Sequence, residues 1–482
     1  MARINTNVPA IVAQRTLQRT HRDLQISLER LSSGLRINRG ADDPAGLINS
    51  ELLRAEIAGA HKAVSNSQRA INIIATAEGA LNEVASLLID IQGLIVETAN
   101  DAALSDDEKR ANQLQIDSAI ESITRIANTT TFAGRKLLNG SLDYIVSGVD
   151  TRVLANVGIT GAQFGTLDYI PVDVKVVASA QRAELQFRNS AIPPGTMASI
   201  EIVGNKGVTT FIWGSGVTAS SILNAVNNDK QSTGVEAFFI NPANPNSGVA
   251  FRSVGWGSDQ FVEVRALPTS DPFIVHDTSG AVVTRDEGRD ATALVNGATA
   301  AARGLNIGLN TRQLDLYLTL REDFGIGSTQ FAITGGGALF QLGPDVTPNQ
   351  QVNIGIQSIA ATRLGNSNVG YLSQIMEGGE YEVMAGPVQA HQASLIVNEA
   401  IRQVGSLRGR LGAFERNTLQ TNINSMTITV ENLTASESAI RDTDFAAETS
   451  RLTRNQILVN AGTSVLALAN STAQSVLSLL SG

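Results

Sequence analysis

The 482-residue chain contains no cysteine. This excludes disulfides, a thiol nucleophile and thiolate-held metal, and it suits a chain exported unfolded and never oxidised. Aromatic residues are scarce at 4%, and none precedes Phe132. No proline follows Pro387, whereas Trp213, Trp256 and most prolines lie between Pro171 and Pro348. Histidine is limited to His21, His61, His276 and His391, none placed as a ligand pair, so neither a metal nor any other cofactor is expected. Gly-x-Ser-x-Gly is absent, and Gly335-Gly336-Gly337 lacks the lysine of a phosphate loop and reads as a turn. A cationic surplus is missing too: the net charge is −9, so nucleic acid is not an expected partner. No apolar stretch approaches the ~20 residues of a membrane span. Met1 to Asn7 has no apolar core, so export without a cleaved signal peptide is expected.

What is present is periodicity at both ends. Leu17, His21, Leu24, Leu28, Leu31 and Leu35 step by fours and threes, and so do Leu458, Ala461, Val465, Leu468 and Thr472. This is the seam of helices that pack on helices. Asp43 before Pro44 predicts a cap and a second helix to about Asn100, with Ile57, Ala60, Val64, Ser67, Ile71, Ile74, Leu81, Val84, Leu88 and Ile95 as its seam. Asp442 and Asp444 read as caps in the same way. Ser105 with Glu108 predicts a capping box opening a third helix, buried through Leu114, Ile120, Ile123 and Ala127. Tyr144–Val146 and Val153-Leu154 suggest a hairpin beside the bundle. Strand-like text then runs through Val174–Val177, Ile200–Val203, Thr209–Trp213, Ala237–Ile240 and Phe261–Val264, with a short helix at Ser220 to Asn228. Helix is expected again at Asn353–Leu364 and from Ala390 to about Leu433.

The expected fold class is α+β: an elongated antiparallel helical bundle or coiled coil built from both chain ends, with a β-rich insert between them. Residues 1–43 form an N-terminal helix and 44–170 the first part of a helical domain. Residues 171–331 form one or two β-rich outer domains, 332–440 the returning helical part, and 441–482 a C-terminal helix. No constellation supports catalysis. Asp42 and Asp43 read as capping residues, and Trp213 and Trp256 as core residues before they read as a carbohydrate platform.

Several segments closely resemble bacterial flagellin. They are Ile4-Asn5-Thr6-Asn7, Leu31-Ser32-Ser33-Gly34-Leu35-Arg36-Ile37-Asn38, Ala41 to Leu47, and Phe132 to Leu138. At the far end come Glu431-Asn432-Leu433, Ile440 to Asp444 and Leu477 to Leu480. Gly234-Val235-Glu236-Ala237 also looks like a short repeat found in flagellin inserts. The resemblance implies a structural subunit that polymerises with itself into the extracellular flagellar filament. It also implies export through the flagellar type III channel with a chaperone, and contacts with hook–filament junction and cap proteins. Leu17, Leu24, Leu28, Leu31, Leu35, Leu458, Val465 and Leu468 would be the assembly seam, disordered in the monomer and folding on assembly. A hook–filament junction protein shares the terminal helices and is the runner-up reading.

The resemblance carries one further implication. Flagellins seen by the vertebrate Toll-like receptor five carry two arginines and a glutamate before a leucine on the second helix. This chain keeps Leu94 but has Asp90, Gln92 and Gly93 before it, and a family glutamate on the third helix appears as Gln115. Weak recognition by that receptor is the expectation.

Overall fold

The structure, a computed structural model, describes residues 6–100, 103–165, 167–267, 273–311 and 313–480, with 472–480 described by backbone alone. Ile4, Asn5, the side chain of Thr472 and those of the Leu477–Leu480 tail lie outside it. The helices are α1 (Val8–Ser33), α2 (Pro44–Thr98), α3 (Asp106–Thr129), α4 (Ala219–Asn228), the single turn α5 (Lys230–Thr233), α6 (Pro387–Phe414), α7 (Thr421–Arg441) and α8 (Phe445–Leu480). The chain forms two compact units: residues 1–70, 341–346 and 416–482, and residues 71–340 with 347–415.

Helix α2 follows from its capping and its period. Asp43 Oδ1 accepts the Gly46 N–H at 2.9 Å, closing the first turn ahead of Pro44. Its buried positions Ala60, Ala63, Ser67, Ala70, Ile74, Ala77, Leu81, Val84, Leu88, Ile91, Ile95 and Thr98 alternate steps of three and four without a break. Ile57 continues this line towards buried Ser50 but is only half-buried, while Val64 and Ile71, also in the expected seam, are half-buried and flank it. One 18-residue window of α2 reaches a mean hydropathy of 1.4, enough by length and composition to cross a bilayer. This corrects the expectation that no stretch comes close. Packing covers part of it: Ile74, Ala77, Leu81, Val84, Leu88, Ile91 and Ile95 are buried in the seam, whereas Ile89 and Val96 are exposed and 28% of the window is buried.

Helix α3 has the expected capping box, with Glu108 N donating to Ser105 Oγ and Ser105 N donating to Glu108 Oε2. Its buried face is Asn112, Gln113, Ile116, Ile120, Ile123 and Ala127, whereas Leu114 is 57% exposed. Gln113, a polar residue that no apolar period marks, is 2% exposed. Its amide donates to Ile375 O at 2.9 Å and accepts the Val383 N–H at 3.1 Å, which fastens α3 to the loop ahead of α6.

Helix α6 buries Ala390, Ala393, Val397, Ala400, Val404, Leu407 and Leu411. A π-helical stretch, Glu415–Gln420, joins it to α7. The inward positions of α7, Asn422, Met426, Thr429 and Leu433, fall one residue later than an unbroken heptad from Leu411 would place them. A π turn takes up one extra residue, and that is the residue it absorbs. No helix forms among the described residues at 353–364. A strand, Gln351–Ile354, runs into Gly355, two single 3-10 turns follow at Leu372–Ile375 and Val383–Ala385, and α-helix resumes at Pro387.

The β region has two cores, one inserted in the other along the chain. An eight-stranded antiparallel sheet runs Tyr144–Ser147, Gly327–Gly336, Ile170–Ala178, Thr292–Val295, Ala298–Arg303, Asn306–Asn310, Leu314–Leu320, Leu154–Ala162. Alternate residues point to one face: Val172, Val174 and Val176, then Leu314, Leu316, Leu318 and Leu320, then Phe331 and Ile333. The Tyr144 hydroxyl accepts the Ala162 N–H at 2.9 Å, a side-chain bond that ties the two edge strands to each other. Burial pushes the Tyr144 pKa up to about 12 and keeps that hydroxyl neutral. The expected hairpin beside the bundle is therefore the two edges of this sheet, and the sheet begins before residue 171.

Between the third and fourth of these strands lies a second core. The sheets Arg285–Glu287, Phe261–Ala266, Ala198–Gly204, Val208–Trp213 and Glu184–Phe187, Val249–Ser253, Val235–Phe239 enclose it together with α4. Trp213 is 7% exposed within it, stacked on Phe211, and Phe187 stacks on Phe273 at 4.2 Å. Trp256 is packed against the first core and lies under Arg182, 4.6 Å from the guanidinium carbon. Neither tryptophan presents a free platform. The insertion starts and ends at Gln181 and Arg289, whose backbones exchange two hydrogen bonds of 2.8 and 3.0 Å.

Candidate assembly surfaces

Helices α1 and α8 pack on each other within the first unit. Asn7 starts the pairing: its Oδ1 caps Ala10 N at 3.1 Å and its Nδ2 donates to Ala469 O at 2.9 Å. On α1 the inward line is Ala10, Ala13, Leu17, Thr20, Leu24, Ser27 and Leu31. Leu17, Leu24 and Leu31 are half-buried there, while Leu28 is 49% exposed and His21 is exposed. On α8 the inward line is Glu448, Leu452, Asn455, Val459, Gly462, Leu466 and Ala469. Leu458, Val465 and Leu468 face out, at 48%, 55% and 64% exposure. They sit one residue before Val459, Leu466 and Ala469, so the two lines lie roughly 100° apart around the helix. Among the described residues helix α8 thus carries two apolar faces and packs one of them, on α1.

Glu448, which sequence reasoning missed, is 4% exposed and faces Arg30 at 3.8 Å and Arg451 at 3.2 Å. The spacing Glu448, Leu452, Asn455 contained the signal, but a charge in an apolar seam is read as an interruption. Outside it, Phe445, Thr449, Thr453, Ile457 and Leu458 line an open trough along α8.

The two helix breaks clasp each other. Arg36 N donates to Arg441 O at 2.7 Å, Thr443 N donates to Gly34 O at 2.9 Å, and Leu35 bridges Asp442. Gly34 makes the turn with φ +76° and caps α1 by donating to Arg30 O. Ile37 beside it is fully buried. Asp42 Oδ2 accepts the Asn38 and Arg39 N–H groups, and Asp444 Oδ1 caps Ala447. Arg441 reaches Glu51 at 2.9 Å and holds its carboxyl below the ordinary value. Among the described residues no cluster of His, Cys, Asp or Glu is arranged to hold a metal ion.

A family model for the bacterial flagellin N-terminal helical region matches residues 4–143, and one for the C-terminal helical region matches 395–480. A flagellin of Clostridium tyrobutyricum is 28% identical over 474 residues, covering 98% of this chain and 100% of its own. B-type flagellin of Pseudomonas aeruginosa is 29% identical over 511 residues, covering 99% of each. The chain belongs to the bacterial flagellin family. As a flagellin it is a structural subunit of the extracellular flagellar filament, not an enzyme. Among solved structures, FliC from Burkholderia pseudomallei has 15% identity and a TM-score of 0.25, covering 73% of this chain and 99% of that one. A superposition that loose supports no comparison of domains.

The positions expected to form an altered receptor patch fall on α2 and α3. Asp90, Gly93 and Gln115 are exposed and Leu94 is half-buried. Gln92 is turned inward, its amide donating to Ser394 Oγ of α6 at 2.9 Å. The five positions are thus not one solvated set: Gln92 is held by the bundle.

Proposed function

We propose that the α1–α8 pair orders fully only when neighbouring copies cover it, so that folding of the chain ends is coupled to filament assembly. The observation that carries this is the second apolar face of α8, Leu458, Val465 and Leu468, for which the described residues of the lone chain offer no partner. The inner seam is thin as well. Only Thr20 and Ser27 of α1 are buried outright, too little to offset the ordering entropy of two long helices. In the free subunit both ends open readily, which keeps it soluble for the flagellar type III channel, in the hands of an export chaperone and without a cleaved signal peptide. Under a cap protein, above the hook–filament junction proteins, the exposed face meets the next subunit. Hydrogen exchange tests this. Amides of α1 and α8 should exchange much faster than those of α2 and α6 in monomer, through ready opening of a partly formed pair, and slow by orders of magnitude in filament. Equal protection in both states would refute it. Removal of residues 1–40 or of 450–482 should leave a folded subunit that forms no stable filament.

The exposed Asp90, Gly93 and Gln115 favour a second reading, weak recognition by Toll-like receptor five. A missing bidentate arginine contact costs about 1.5–3 kcal/mol where its partner stays buried, and two such losses weaken binding by a hundredfold or more. In a cell reporter assay, Asp90→Arg with Gly93→Glu should recover part of the response. Adding Gln92→Arg should recover less than its share, because Gln92 is tied to Ser394. Potency of the native chain equal to that of a strongly stimulating flagellin would sink the reading.

A further inference from the structure

We propose that the cleft between α6 and the outer face of the eight-stranded sheet binds an acidic saccharide. The cleft encloses about 550 Å³, and only Leu318 and Leu407 of its lining are apolar. Such a lining rejects lipids and other apolar ligands, whose pockets are mostly hydrophobic. It offers Asn156, Asn306, Gln357 and Ser406, groups that donate and accept side by side as a run of sugar hydroxyls requires. Tyr317 supplies an aromatic surface for the C–H face of a sugar ring. Its ring lies against Gly158, where an added Cβ would come within 2.0 Å of it, so the glycine is what seats the tyrosine.

The charges select the acid. Arg402 has its carboxylate, Glu399, with Nε to Oε2 at 2.8 Å. Arg410 has none. It donates to the Gly355 carbonyl at 2.8 Å, and Asp143 and Asp315 act on it from a distance without forming an ion pair. A half-buried guanidinium with unused donors is matched by a ligand carboxylate held by charge-assisted hydrogen bonds. A peptide fits less well. The cleft lies over the face of the sheet rather than along an edge, so no backbone ladder is open to a strand.

The test is isothermal titration of the full-length subunit with oligogalacturonate and sialyllactose. Lactose and an oligoglutamate peptide serve as comparators. At least one acidic saccharide should bind at least tenfold more tightly than lactose and than the peptide. Arg410→Gln should weaken that binding about tenfold or more, roughly 1.4 kcal/mol. Ser406→Trp, on the exposed surface of α6, should fill the cleft and abolish binding while leaving the thermal melt unchanged. Four results would each overturn the proposal: no acidic saccharide bound at millimolar concentration, lactose bound equally well, the peptide bound equally well, or binding intact in a folded Ser406→Trp chain.

Discussion

Glu236 sits between three cations: Arg182 at 2.9 Å, Lys230 at 2.6 Å and Arg252 at 2.9 Å. Burial pushes its carboxyl up, but hydrogen bonds from Lys230 and Arg252 outweigh that and hold it below the ordinary value. A carboxyl lowered by folding contributes stability above its unfolded value, and that contribution fades as pH falls through the lowered one. Glu236→Gln should therefore cost the second β core roughly 1–3 kcal/mol at neutral pH, solvent screening at Lys230 and Arg252 trimming the figure. In urea melts the gap between native and variant should close as pH drops below about 4.5, the ordinary carboxyl value. A gap independent of pH would rule out the charge as its cause. The same residue explains the flagellin-like stretch Gly234 to Ala237. Gly234, at φ +74°, ends α5, and Ala237 exchanges two 2.9 Å hydrogen bonds with the Asn227 amide of α4. The resemblance picked out a helix–turn–strand joint that no period in the sequence marks. Gly336 is a second such point: φ is +94°, and a Cβ there would stand 2.1 Å from the Asp143 carbonyl oxygen. Gly336→Ala should destabilise the eight-stranded sheet by about 1–3 kcal/mol in a thermal or urea melt, and an unchanged melt would deny the close approach.

At the scale of elements, the helices were legible because a period of three and four survives composition. Which line of a helix faces in was not. On α8 the lines Leu458–Val465–Leu468 and Val459–Leu466–Ala469 are both apolar, and nothing local ranks them. Their neighbours settle it: Gly462 lies on the inner line, where an added Cβ would approach Leu17 Cδ1 at 3.1 Å, and small residues mark close helix packing. The two lines can be separated experimentally. Gly462→Leu should force α1 and α8 apart and lower the helicity of the free subunit. Leu458→Ser with Val465→Ser and Leu468→Ser should leave the monomer's circular dichroism nearly unchanged and abolish polymerisation. If the outer triple variant still forms filaments, that face does not carry assembly. The phase step at Glu415–Gln420 was equally hidden. The chain reads Phe414-Glu415-Arg416-Asn417 where the flagellin pattern often carries Gln-Asn-Arg. A π turn has no residue signature; it shows only as a shifted phase in the helix beyond it.

At the scale of the whole molecule, composition located a β-rich middle but not its nesting. Strand text looks alike in both cores, and only long-range pairing tells which strands share a sheet. A cut at Pro171 and Phe331, where the strand-like text starts and stops, removes Leu314–Leu320, the partner of Leu154–Ala162. It also removes nearly all of Ile170–Ala178 and the half of Gly327–Gly336 up to Phe331, leaving only the Ala332–Gly336 end paired with Tyr144–Ser147. The apolar faces of Tyr144, Leu154, Ile159 and Ala162 would then be bare, and that variant should misfold or aggregate. The fold has its own seam at Gln181 and Arg289, already paired as antiparallel neighbours. Hydrogen-bonded neighbours of this kind stand about 5.5 Å apart, a gap that a two-residue Asn-Gly turn closes. Deleting residues 182–288 across such a turn should keep the eight-stranded core, and with it export and polymerisation. The cost should be the packing of Trp256 on the first core, the Arg182–Glu322 ion pair, and the contacts of Ser258 with Asp290 and of Asp259 with Arg303. Circular dichroism of the secreted subunit and negative-stain images of the filament distinguish the outcomes. Filaments from the 182–288 deletion, with none from the 171–331 deletion, would locate the dispensable part in the second core. A folded, secreted 182–288 deletion that forms no filament would instead make contacts of that core essential to assembly.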